Sequence, residues 1–279
     1  MLEFFLFLLG VAMVKVAISP LSELLLTAGV IKENYEGVQI PTALGLVFPL
    51  TLPLSLACLT LKRAFFNPGE VYLLLFITTG MGLAGLCDDL LKTDKEKGFR
   101  GHFAQLLRGK LTSGALKAIT GLVFGFIFTS GLWILGQTGW LMLIPQTLVV
   151  ALSTNSINLF DLRPGRAVKF FLFLSALFFL LLEVRGVEGP YFRFLYPVIG
   201  GLFAYLPVDI KAHGMLGDTG ANFLGALLGA VVVLTKDEFL LWFALLFFLF
   251  LQLSAEKFSF SQVIEGNRVL RFLDQLGRD

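Results

Sequence analysis

Gly85-Leu86-Cys87-Asp88-Asp89-Leu90-Leu91-Lys92 closes an apolar run that begins at Val71, and closes it with two adjacent carboxylates and a lysine. Acids at the edge of a hydrocarbon layer are costly to place and usually functional. The run is close to the roughly 20 apolar residues that a membrane span needs. The rest of the chain decides that it is a span and not a buried core helix. Of 279 residues, 56% are hydrophobic and 15% charged, and the mean hydropathy is +0.83. A soluble domain carries about 25% charged and 45–50% apolar residues. Thirty phenylalanines, in runs such as 243–251, require lipid. The expected fold class is an all-α polytopic membrane protein.

Working outward, nine segments are apolar enough to span: roughly 2–19, 41–60, 70–87, 114–134, 139–155, 166–184, 190–208, 219–235 and 238–255. Pro145 and Thr147 interrupt the fifth, which neighbouring helices can tolerate. Before the first apolar core, Met-Leu-Glu-Phe-Phe offers no positive charge, and no small-residue cleavage site follows it. The segment is therefore expected to stay as a span and not to be removed as a signal peptide. If it runs from outside inward, the inner segments carry 16 lysines and arginines and the outer ones five. Positive-inside bias favours that orientation, with the N-terminus outside and the C-terminus cytoplasmic. Residues 1–255 then form one transmembrane domain with its site on the cytoplasmic face of the plasma membrane. Residues 256–279 form a tail in which Val263, Ile264, Val269, Leu270, Phe272, Leu273 and Leu276 make an apolar face opposite Arg268, Arg271 and Arg278. Such a helix suits the inner membrane surface. Cys58 and Cys87 lie in or beside apolar runs and read as small buried hydrophobes, not as a disulfide framework.

The same parity places two further acidic loops beside Asp88-Asp89. Neighbours on a helix point about 100° apart, so one of the pair can ligate a hard cation while the other acts as a base. The competing reading is a solvated helix end with an Asp88–Lys92 ion pair. In Asn155-Ser-Ile-Asn158-Leu-Phe-Asp161, three polar groups recur every third residue and face one way on a terminal turn. Arg163 and Arg166 follow, either as bidentate phosphate ligands or as positive markers of the inner face around the Pro164-Gly165 turn. In His213-Gly-Met-Leu-Gly217-Asp218-Thr-Gly220, Asp218 reads as a helix cap or as a metal ligand, with glycines that allow close backbone approach. His213 reads as a structural interfacial residue or as a ligand. Together, Asp88, Asp89, Asp161 and Asp218, ringed by lysines and arginines, fit a metal-bound diphosphate, because Mg²⁺ prefers a few carboxylates plus substrate phosphates and water.

These motifs resemble the polyprenyl-phosphate N-acetylhexosamine-1-phosphate transferase family. Gly85 to Lys92 is similar to its first signature, Asn155 to Asp161 to its second, Met215 to Gly220 to its third, and Ile40-Pro-Thr-Ala-Leu-Gly45 faintly to its Pro-Thr-x-Gly-Gly segment. The resemblance implies transfer of a sugar-1-phosphate from a UDP-sugar to a polyprenyl phosphate, with Mg²⁺ (or Mn²⁺) as cofactor and no nucleic-acid partner. It leaves a homodimer open. It implies catalytic roles for Asp88, Asp89 and Asp161, metal ligation by Asp218 and Asp89, and substrate contacts from Lys92, Lys110, Lys117, Asn155, Asn158, Arg163, Arg166, Gly217 and His213. The chain also departs from the pattern. Pro164 stands where the family's second signature has another Asp, the third signature lacks its preceding Asn, and the family's histidine-rich loop has no counterpart. These departures suit a divergent member, or alternatively a non-catalytic protein that binds polyprenyl phosphate as a regulator or transport partner.

Overall fold

In hydrocarbon every backbone N–H and C=O must be satisfied by the protein itself, and apolar runs of about 20 residues do so as helices. The computed structural model describes residues 1–60, 67–91, 109, 112–187 and 189–278. Its helices are α1 (Leu2–Thr27), α2 (Val47–Thr60), α3 (Pro68–Leu91), α4 (Ser113–Ile134), α5 (Leu143–Phe160), α6 (Arg166–Val184), α7 (Leu195–Ile210), α8 (Gly217–Leu234), α9 (Glu238–Ala255), α10 (Phe260–Gly266) and α11 (Arg268–Gln275). Among the described residues, eight helices are long and apolar enough to cross a membrane. The second expected span is the exception. Its first residues are used elsewhere, in strand Gln39–Pro41 and the 3₁₀ turn Leu44–Leu46. That leaves 14 helical residues in α2, about 21 Å at 1.5 Å per residue.

Helix α8 is the axis of the bundle. Every residue from Thr219 to Leu234 is buried. Its Gly-Ala-rich sequence makes this possible, since small residues let helix backbones approach closely where no hydrophobic effect drives association. A Cβ added at Gly85 of α3 would overlap the Asp218 carbonyl oxygen, and one at Gly225 would overlap Thr154 of α5. The two closest neighbours of α8 are thus α3 and α5, whose last turns carry the first two acidic motifs.

A hairpin absent from the sequence reading fixes the third motif. Ile31–Glu33 pairs antiparallel with Gln39–Pro41. The Asn34 side chain closes the turn by accepting from Glu36 N and Val38 N at 2.9 and 3.0 Å. Beyond the hairpin, Met215 N donates to Pro41 O (2.9 Å) and Leu44 N to Met215 O (3.0 Å). The C-terminal ends of α1, α3, α5 and α7 and the N-terminal ends of α4, α6 and α8 consequently gather at one end of the bundle. The opposite end is clamped by ion pairs between Lys236 and Glu70, Arg185 and Asp237, and Arg193 and Glu3.

Candidate active site

Helix α3 runs four residues past the apolar core expected of it, to Leu91, so Asp88 and Asp89 sit on its last turn and diverge. Asp88 turns toward the N-terminal turn of α4, where Lys117 Nζ lies 2.9 Å from its Oδ2. The same ammonium lies 3.0 Å from Oδ2 of Asp218 on α8. One cation thus bridges two acids from two helices, at side chains 18 to 27% exposed. Lys117, expected as a phosphate contact, is the centre of the cluster.

Asp89, expected as a metal ligand, accepts three hydrogen bonds from the start of α8. Its Oδ1 accepts from Asp218 N (3.0 Å), and its Oδ2 accepts from Thr219 N (2.9 Å) and Thr219 Oγ1 (2.6 Å). A carboxylate from α3 therefore caps the first N–H groups of α8, where the helix dipole also favours negative charge. Asp218 makes no side-chain cap, and its carboxylate stays with Lys117. The capping reading weighed for Asp218 is met by Asp89 instead. Gly217 is needed for this arrangement. It adopts φ +70°, and a Cβ there would lie 2.6 Å from Asp89 Oδ2.

Asp161 follows the last residue of α5 with φ −79° and ψ 50°. It lies close enough to Asp209, Asp218 and Asp89 for their charges to act on it. Burial pushes its carboxyl well above the ordinary carboxylate range, and the negative charges of Asp209, Asp218 and Asp89 push it further. The folded chain therefore keeps the Asp161 proton at pH values where the unfolded chain, with a pKa of about 4, has lost it. Between those two values the unfolded state binds fewer protons, and stability falls as pH rises. Asp161→Asn is accordingly expected to raise the thermal midpoint of the metal-free protein at pH 7 and to flatten its decline between pH 5 and 8. An unchanged pH dependence by differential scanning fluorimetry would contradict this.

Other expected contacts lie away from the cluster. Arg166 is 5% exposed and bound bidentately to Asp274 (2.8 and 2.8 Å) and to Ser261 Oγ, so its guanidinium is taken by the tail and not by the acids. Arg163 is exposed, 3.6 Å from Glu265. Asn155 donates to Gln252 of α9 at 2.7 Å, which turns it from Asp161. Asn158 is half-buried on the turn before Asp161, and His213 is exposed after α7. Lys92 and Lys110 lie outside the described residues.

Two polar groups were missed. Asp209, on the last turn of α7, is buried and accepts from Gly165 N at 3.0 Å, which fixes the turn between Asp161 and α6. Its signal was an acid on the last turn of an apolar segment, as at Asp88. Asn222 is fully buried one turn below Asp218, and neither of its amide atoms has a partner among the described residues; a polar residue inside the α8 run was its only signal.

The donor set suits a divalent cation. Two convergent carboxylates, Asp88 and Asp218, already enclose one positive charge, and Mg²⁺ uses one or two carboxylates with phosphate oxygens and water completing its shell.

The model of the family described as Glycosyl transferase family 4 matches residues 71–236, which include every member of the cluster and exclude the tail. The phospho-N-acetylmuramoyl-pentapeptide-transferase of Acetivibrio thermocellus is 29% identical over 222 residues, covering 75% of this chain and 64% of the relative. That of Shouchella clausii is 29% identical over 217 residues (75% and 65%), and that of Desulforamulus reducens 30% over 212 residues (72% and 62%). The chain spans less than two thirds of the length of each of these relatives.

Proposed function

The chain belongs to glycosyl transferase family 4, and from that premise we propose that it transfers a sugar-1-phosphate from a UDP-sugar to a polyprenyl phosphate, in cell-envelope glycan synthesis. The reading places the acid cluster at the cytoplasmic face of the plasma membrane, in the orientation favoured by the 16-to-5 distribution of lysine and arginine. It adds α2, with the 3₁₀ turn before it, as a ninth crossing. The observation that supports it most is the convergence of Asp88 and Asp218 on the single ammonium of Lys117.

In the proposed reaction an oxygen of the lipid phosphate attacks the sugar-bearing phosphorus of the UDP-sugar. The bond to the bridging oxygen of the diphosphate breaks, UMP leaves with that oxygen, and a lipid diphosphate sugar remains. Such transfer depends on positioning and on neutralisation of phosphate charge. Asp88 and Asp218 would hold Mg²⁺, which supplies Lewis-acid polarisation of the diphosphate. Lys117, displaced from between the two acids, is placed to meet a phosphate oxygen. Asp161, beside the cluster, is a candidate proton acceptor for the lipid phosphate in its ionised form only. Asp89 acts only through geometry, by holding the first turn of α8.

A release assay for UMP tests this, with detergent-purified protein, polyprenyl phosphate, Mg²⁺ and a panel of UDP-sugars. UMP that appears with at least one sugar and requires both lipid and metal is the expected result. Lipid binding without UMP from any sugar would favour the non-catalytic reading, which the replacement of an expected carboxylate by Pro164 supports.

A further inference from the structure

The tail has its polarity inverted relative to a soluble helix. On α11, Asp274 and, just beyond it, Arg278 face the protein. Asp274 is held by Arg166, and Arg278 binds both Asp274 oxygens (3.1 and 2.9 Å) and the Pro164 carbonyl (2.8 Å). Lys169 Nζ takes the carbonyls of Asp274 and Leu276 at 2.8 and 2.7 Å, closing the C-terminal end of the helix. Val269, Phe272, Leu273 and Leu276 follow i, i+3, i+4, i+7 and point outward, at 51 to 66% exposure. Arg268 and Arg271 flank the stripe, exposed and with no ion pair among the described residues. The pin also sets depth. Arg166 and Lys169 are the first turn of α6, a span with a mean hydropathy of 2.3, so α11 lies level with the end of that span.

We propose that α10 and α11 form an interfacial clamp that seats on the anionic phospholipid surface of the bilayer. The outward stripe enters the acyl boundary, Arg268 and Arg271 meet lipid phosphates, and the ion cluster ties that contact to the Pro164–Arg166 turn behind Asp161. A helix with one apolar face and basic flanks lies in the interfacial plane, and arginines there are drawn to anionic lipid. Here the inner face is already committed to protein, so lipid is the occupant that matches both the apolar stripe and the two unmatched charges. The inference does not depend on the transferase reading.

The test uses nitroxide labels at Val269→Cys, Leu276→Cys and Gln275→Cys, singly, in full-length protein with Cys58→Ser and Cys87→Ser, in nanodiscs of neutral or anionic phospholipid. Collision with oxygen and with a water-soluble nickel chelate reports depth. Labels at 269 and 276 should be oxygen-accessible and nickel-protected in both lipids, with 275 the reverse. Adding Asp274→Asn cuts the pin, and immersion should then persist in anionic lipid and fall in neutral lipid. Restoring neutral flanks with Arg268→Gln and Arg271→Gln should weaken anionic immersion about fivefold per arginine, from about 1 kcal/mol each. Equal nickel access at 269, 275 and 276 would overturn the proposal. So would dipolar broadening between labels, which means a second copy covers the stripe, or unpinned immersion that ignores lipid charge.

Discussion

Asp88→Asn is expected to lower turnover by about 10²-fold or more, the usual scale for a positioned acid–base or charge-bearing group, with little change in the KM for polyprenyl phosphate. The substitution keeps shape and a contact to Lys117 but removes one of the two negative charges that face a single cation. A group needed in the transition state and not for ground-state binding shows this split between kcat and KM. Asp89→Asn, one residue along, is expected to behave differently. Its carboxylate takes three hydrogen bonds from the start of α8. An amide has one oxygen to accept them and an NH₂ that faces donors, so thermal stability should fall first, by about 2 kcal/mol for strained or lost bonds to a charged acceptor. Full turnover in Asp88→Asn would reduce that residue to a partner for Lys117. Thermal melts and steady-state rates on the same preparations separate the two residues.

Lys117→Met is expected to destabilise the metal-free protein and to make its stability depend on divalent cation. Removing one member of a fully buried ion pair costs about 3–5 kcal/mol, because the other is left uncompensated. Here two carboxylates are left facing each other, but each is about a quarter exposed, so about 1–3 kcal/mol is the expected range. Millimolar Mg²⁺ should restore most of that loss in Lys117→Met and shift the wild-type melt less, since the wild type already has a cation between the acids. Turnover should stay low with metal present, because the ammonium is also placed for phosphate. Equal metal shifts in the two proteins would mean that the acids do not share a site with the lysine. Thermal melts across a Mg²⁺ titration provide the measurement.

Much of this arrangement was legible from sequence, and the reason is physical. Continuous apolar runs of this length satisfy their backbone in hydrocarbon as helices, so apolar length alone places 166–184 and 238–255 at the observed residues. Acids at the ends of apolar runs have few roles, so Asp88, Asp161 and Asp218 stood out. The division of labour within Asp88-Asp89 was not legible. It depends on the crossing of α3 and α8 at Gly85, which aims one carboxylate at a helix N-terminus and the other at Lys117. The partner of Arg166 was illegible for a similar reason, since Asp274 lies 108 residues away and no local pattern joins them. The hairpin at 31–41 was overlooked although Asn34-Tyr-Glu-Gly37 is a turn signal, because in so apolar a chain a three-residue strand carries no periodicity to read.

Binding of Mn²⁺ followed by electron paramagnetic resonance, with UDP-sugar present, tests the central assignment most directly. Wild type and Asp89→Asn should bind the ion and broaden its signal, whereas Asp88→Asn and Asp218→Asn should leave it free in solution. Retention of the ion by Asp88→Asn and its loss in a folded Asp89→Asn would contradict the site built on Asp88, Asp218 and Lys117.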